Sequence, residues 1–143
     1  IGGGHRSQGT RFGMIVVDAS AMVELLFDTE LGRRVDERIL GVEPLHAPHL
    51  LDIEVLQVLR RLARAGQVSA TRLREAIEDL ALFPITRHGH SSLLERVFEL
   101  RGNLTAYDAA YVALAEALDA TLVTCDKALA KSPGKRATVE VIA

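Results

Sequence analysis

Five short apolar runs, separated by stretches of helical periodicity, constrain this chain more than any other feature. The runs are Met14 to Val17, Leu45 to Ala47, FPITR, ATLVT and TVEVI. Between them come AMVELLFD, with Ser20 as the expected cap, and TELGRRVDERILG, closed by Gly41. HLLDIEVLQVLRRLARAG then ends at Gly66, and Ser69 opens SATRLREAIEDLALF. SSLLERVFELRG is helical again, Asn103-Leu104-Thr105 lead into AYDAAYVALAEALDA, and DKALAK adds a last helical turn. Strands too short to be helices, alternating with amphipathic helices, predict an α/β fold. We expect three layers, a mostly parallel central sheet of about five short strands with helices on both faces.

No repeat or linker interrupts this alternation, so residues 14–143 read as one domain. The thirteen residues before Met14 hold five glycines and no periodicity, and read as a lead-in or expression scar. Without them the chain has 15 basic against 19 acidic residues, a net charge of −4. That balance argues against a generally basic nucleic-acid footprint and leaves such binding to local clusters. No apolar run approaches the roughly 18 residues of a membrane span. The single Cys125 cannot form an internal disulfide, excludes a multi-cysteine zinc site and suits a reducing cytoplasm.

The carboxylates carry the chemistry. Asp18 follows the first apolar run and Asp126 follows the fourth, and sites in open parallel sheets form beyond the carboxyl ends of strands. Each is equally suited to cap the next helix. Asp108 lies three residues after Thr105, as in a capping box, yet shares a face with Tyr111, Val112 and Ala115. A carboxylate on a core-facing stripe needs hydrogen bonds or a cation, or else the favourable end of a helix dipole. In the third helix Asp52 and Glu54 both border the apolar arc, and periodicity does not choose between them. Ser20 is suited to capping or to orienting a bound water.

VVDASAMVELL, PHLLDIEVLQVLRR, LTAYDAAYVALAEALDATLVTCD and the short closing strand together resemble the PIN-domain family, and within it the VapC-type toxins of bacterial toxin–antitoxin pairs. The resemblance runs from Met14 to the C-terminus. It implies an acidic quartet at Asp18, Glu54, Asp108 and Asp126, separated by 36, 54 and 18 positions, and so selects Glu54 over Asp52. It further implies an endoribonuclease dependent on one or two Mg²⁺ or Mn²⁺ ions, usually homodimeric, and neutralised by a VapB-type antitoxin. Carboxylates suit hard divalent cations, which lower the pKa of an attacking water and stabilise charge on a departing oxygen. Ser20 and Thr105 would support the acids. His5, His46, His49, His88 and His90 show no metal-like pairing on one helix and read as turn or surface residues.

An acidic site repels RNA, so cations must hold its phosphates. The candidates are Arg60, Arg61 and Arg64 on the Glu54 helix, with Lys127, Lys131, Lys135 and Arg136 near the last carboxylate. Three other readings compete with the ribonuclease. A haloacid-dehalogenase-like phosphatase needs a second Asp two positions after the first, where this chain has Ser20. A receiver-like domain needs an acidic pair before its phosphoacceptor strand, and none occurs. A non-catalytic interaction module would use its acids only as caps.

Overall fold

The computed structural model describes residues 13–143; of the expected lead-in only Gly13 falls within that range, and His5 lies outside it. Among the described residues five strands form one sheet: β1 (Ile15–Val17), β2 (Leu45–Pro48), β3 (Ile85–His88), β4 (Thr121–Thr124) and β5 (Thr138–Val141). Every pairing is parallel, in the order β3-β2-β1-β4-β5. The order reverses at β1, which sits between β2 and β4. β1 is fully buried, as a strand covered on both faces must be, and its side chains are all apolar.

The helices are α1 (Ala19–Leu26), α2 (Glu30–Ile39), α3 (Leu50–Ala65), α4 (Ala70–Leu82), α5 (Leu94–Glu99), α6 (Ala106–Leu118) and α7 (Lys127–Lys131). One 3₁₀ turn, Ser91–Leu93, leads into α5. α1 to α4 pack on one another over one face, α6 crosses β1, β2 and β4 on the other with α5 beside it, and α7 leans on β5. This is the three-layer α/β arrangement expected from the alternation.

Local signals explain most boundaries. Ser69 and Thr105 cap α4 and α6 through their hydroxyls, and Gly66 closes α3 at a left-handed φ of 68°. α2 ends slightly earlier than its expected glycine, with Leu40 at the boundary and Gly41 in the following turn. Gly32 is required where α2 meets α1, because a Cβ there would lie 2.0 Å from the Glu24 carbonyl oxygen. One expected cap differs. Asp18, not Ser20, caps α1, and Ser20 falls inside the helix.

Candidate active site

The strand order reverses between β1 and β4, the place in an open parallel sheet beyond whose carboxyl ends sites form, and Asp18 stands there at the end of β1. Only 6% of Asp18 is exposed. Its Oδ1 accepts the Ala21 N–H at 3.0 Å and the Ser20 hydroxyl at 2.7 Å, and its Oδ2 accepts the Thr124 hydroxyl. Ser20 Oγ in turn accepts the Cys125 N–H at 2.9 Å, and Thr124 Oγ1 accepts the Asp126 N–H at 2.9 Å. The ends of β1 and β4 are thereby tied together around one carboxylate. Burial pushes the Asp18 carboxyl above its ordinary range, against the pull of Thr124, Ala21 and Ser20, and Asp126 adds to the rise.

The other acids arrive from separate elements. Thr105 Oγ1 accepts the Asp108 N–H at 3.1 Å, which fixes Asp108 in the first turn of α6. Burial raises the Asp108 carboxyl, the charges of Asp126 and Asp18 raise it further, and Thr105 opposes them. Glu54, on α3, accepts the Tyr111 hydroxyl at 2.6 Å. Its carboxyl is raised first by burial and then by Asp108 and Asp18, with Tyr111 pulling the other way. Asp126 is exposed and caps α7, its Oδ1 accepting the Ala128 N–H at 2.9 Å. Capping and membership of the acidic set therefore coincide at Asp18 and Asp126.

These four acids meet no cation of the protein's own: none forms an ion pair among the described residues. As the side chains stand, no three acidic, histidine or cysteine groups among the described residues are close enough to hold an ion. The donor chemistry does fit a hard divalent cation. All four offer carboxylate oxygens, and burial followed by the charges of neighbouring acids raises three of them, a strain that a bound cation would relieve. The closing of those oxygens around an ion is not formed in this conformation.

Asp52 and Glu54, inseparable by periodicity, serve different neighbours. Asp52 is gripped by Arg87 of β3, Nε to Oδ2 at 2.8 Å and Nη2 to Oδ1 at 3.0 Å, and Arg87 also donates to the Leu80 carbonyl. That is a clamp between sheet and helices, away from the acidic set. The histidines differ from the expected turn-or-surface placement in two cases. His46 on β2 and His88 on β3 are half-buried with Nδ1 to Nε2 at 2.9 Å, because His88 lies two positions beyond Thr86, the β3 residue paired with His46, and so is its diagonal neighbour on the same face. Burial and His88 together hold His46 below its ordinary pKa. His90 stays in a turn but accepts the Leu50 N–H at 3.1 Å at the start of α3.

Of the proposed phosphate-binding cations, Arg60, Arg61, Arg64, Lys127 and Lys131 are exposed, and none makes an ion pair among the described residues. Lys127 adjoins Asp126, whereas Arg60 and Arg61 lie about 9–11 Å along α3 from Glu54 at ~1.5 Å per residue. Two others are not where chain proximity suggested. Lys135 donates to the Ala130 carbonyl at 2.7 Å and to that of Ser132, closing α7. Arg136 lines a cleft of about 620 Å³ with Thr121 and Thr138, the first residues of β4 and β5, and so faces the opposite edge of the sheet.

Sequence reasoning missed two residues that touch the acids, Thr124 and Tyr111. The available signal was Tyr111 itself, a phenol on a core-facing stripe three residues after Asp108, since a buried hydroxyl must find a partner. Thr124 offered no comparable signal beyond its place at a strand end.

The family model for the PIN domain matches residues 15–135. Ribonuclease VapC9 of Mycobacterium tuberculosis is 41% identical over 129 residues, spanning 90% of this chain and 98% of that protein. Ribonuclease VapC12 of the same organism is 38% identical over 130 residues, spanning 91% and 100%. The crystal structure of PAE2754 from Pyrobaculum aerophilum superposes with a TM-score of 0.66 at 30% identity, covering 91% of this chain and 85% of that one. VapBC2 from Rickettsia felis, solved with a DNA fragment from its promoter, gives a TM-score of 0.67 over 92% of this chain. At 13% identity it speaks for the fold alone.

Proposed function

The chain belongs to the PIN-domain family, among the VapC ribonucleases, and we propose that it acts as the endoribonuclease toxin of a VapBC pair. In this reading it hydrolyses RNA phosphodiester bonds with Mg²⁺ or Mn²⁺, one or two ions per site, held by Asp18, Glu54, Asp108 and Asp126. One observation carries the metal reading: Asp18, Glu54 and Asp108, from the end of β1, α3 and α6, are each raised by burial and then by the charge of at least one other acid of the set, and none has an ion-pair partner among the described residues.

The chain's own residues have distinct tasks. Asp18, held by three hydrogen bonds, is the fixed anchor of the set. Asp108 and Asp126, each set at a helix start, supply further charge beside it. A bound divalent ion would activate a water and stabilise charge at the departing oxygen. Lys127, with Arg60 and Arg61, is suited to hold phosphates.

The partners follow from the same family. We assign a VapB-type antitoxin, a homodimer within a toxin–antitoxin hetero-oligomer, and a cytoplasmic setting. Among the described residues no helix is long and apolar enough to cross a membrane. Apolar clefts support capture of an amphipathic helix: one of about 350 Å³ with Leu56, Ile77 and Ala81, another of about 300 Å³ with Leu25, Leu82 and Phe83. No observation favours the phosphatase reading, because Ser20, where a second Asp is needed, is spent on Asp18 and Cys125.

The deciding experiment maps cut sites in total RNA after brief induction, beside an Asp108→Asn control. Discrete new 5′ ends in wild type and none in the control are expected. Identical patterns in both would sink the assignment. Mn²⁺ and Mg²⁺ should also raise the melting temperature beyond NaCl of equal ionic strength, because coordination to the folded state is specific and screening is not.

A further inference from the structure

We propose that Tyr111 is a positioning residue for Glu54, its buried hydroxyl fixing one carboxylate oxygen so that the other is presented to the cation. This rests on the metal-dependent reading above and deepens it. Tyr111 is the largest fully buried side chain, 1% exposed, and its hydroxyl lies 2.6 Å from Glu54 Oε1. It is Glu54's hydrogen-bond partner among the described residues, and Oε2 carries none. The same helix supplies Asp108 one turn earlier, so α6 delivers one acid and orients another that belongs to α3.

Glu54 needs such a tether more than Asp18 does. Asp18 is bound by two hydroxyls and a backbone N–H, so its carboxylate cannot swing. Glu54 projects from the second turn of α3 on a longer, more flexible side chain and is only half-buried. Without the phenol it would turn toward water, where a carboxylate is better solvated than beside two like charges. A purely structural tyrosine would also need a partner for its hydroxyl. The two roles differ in what removing that hydroxyl does to ion binding.

The test uses the full chain as wild type, Tyr111→Phe, Glu54→Gln, the double variant and Asp18→Asn. Each is titrated with MnCl₂ while melting temperature and RNA cleavage are followed separately. Tyr111→Phe should melt cooperatively without metal yet need about ten- to a hundredfold more Mn²⁺ for half-maximal response, the usual cost of losing a ligand's partner. Cleavage at saturating Mn²⁺ should largely recover. In the Glu54→Gln background Tyr111→Phe should shift the midpoint no further, since two residues acting as one unit are not additive. A wild-type Mn²⁺ midpoint in Tyr111→Phe, or additive shifts in the double variant, overturns the proposal. A wild-type Mn²⁺ response in Asp18→Asn overturns the metal reading itself and the Tyr111 role with it.

Discussion

The two ends of the sheet treat buried acids in opposite ways. At the N-terminal ends of β4 and β5, Glu116 is almost enclosed, yet Arg96 grips it with Nε at 2.7 Å and Nη2 at 3.1 Å. The Arg136 N–H adds a third bond at 2.6 Å. Burial raises the Glu116 carboxyl, but these donors and their charges outweigh it and hold the group below its ordinary value. At the C-terminal ends of β1 and β4, Asp18, Glu54 and Asp108 suffer the same burial without a cation and are raised instead. One end is electrostatically complete. The other has no compensating cation among the described residues, a local inconsistency of the kind that marks function.

The sharpest way to break this contrast is to remove a charge from each end and ask what is lost. If Asp108 is a metal ligand as proposed, Asp108→Asn should reduce RNA cleavage by roughly a hundredfold or more, because losing a ligand should cost at least as much as losing a ligand's partner. Its fold should survive. Arg96→Gln should do the reverse, leaving cleavage near wild type while lowering stability by about 1.5–3 kcal/mol, the range for hydrogen bonds to a charged group. Urea denaturation beside a cleavage assay separates the two. If Arg96→Gln abolished cleavage with stability intact, the division of labour between the ends would be wrong.

Asp52 and Glu54 repeat the contrast within a single turn of α3. Asp52→Asn breaks a bidentate pair with Arg87 that is partly open to solvent, so about 1 kcal/mol of stability should go, with cleavage retained. Glu54→Gln should lower cleavage and cost little stability. The opposite assignment of phenotypes would identify Asp52 as the working acid.

That pair also shows how far the residues alone could be read. Strand–helix alternation, the glycine at 66 and the capping hydroxyls at 69 and 105 are local signals, and they placed the layers and most helix ends. Asp18 and Asp126 were readable because a strand end is itself a place in the fold. What could not be read was pairing across the fold. Arg87 reaches back thirty-five positions to Asp52, His88 forty-two to His46, and Tyr111 fifty-seven to Glu54. Arg136 follows Asp126 by only ten positions, yet α7 and its turn carry it to the far end of β5. Ser20 lost its expected cap to Asp18 because the acid stands at the strand-to-helix junction, where the orphan N–H of Ala21 points.

The smallest effect should be in the pH dependence of the metal-free protein, where the two ends pull in opposite directions. Asp18 and Asp108 start from an ordinary value of 3.8 and Glu54 from 4.5, and folding raises all three. Their contribution is therefore fully present below those values and is lost as pH rises through the higher, folded ones. Glu116, also starting from 4.5, is lowered by folding. Its contribution is present above 4.5 and fades as pH falls toward the folded value. Asp108→Asn removes one group that opposes folding at neutral pH, so without metal it should melt slightly above wild type at pH 7. That advantage should shrink as pH falls toward 3.8 and the native carboxyl becomes neutral. Glu116→Gln should melt below wild type at pH 7 and converge with it in acid. Differences of a few degrees are expected, since partial exposure screens each group. Two variants with parallel melting profiles across pH 3 to 7 (a range set by ordinary carboxyl titration) would show that the ends are not electrostatic opposites.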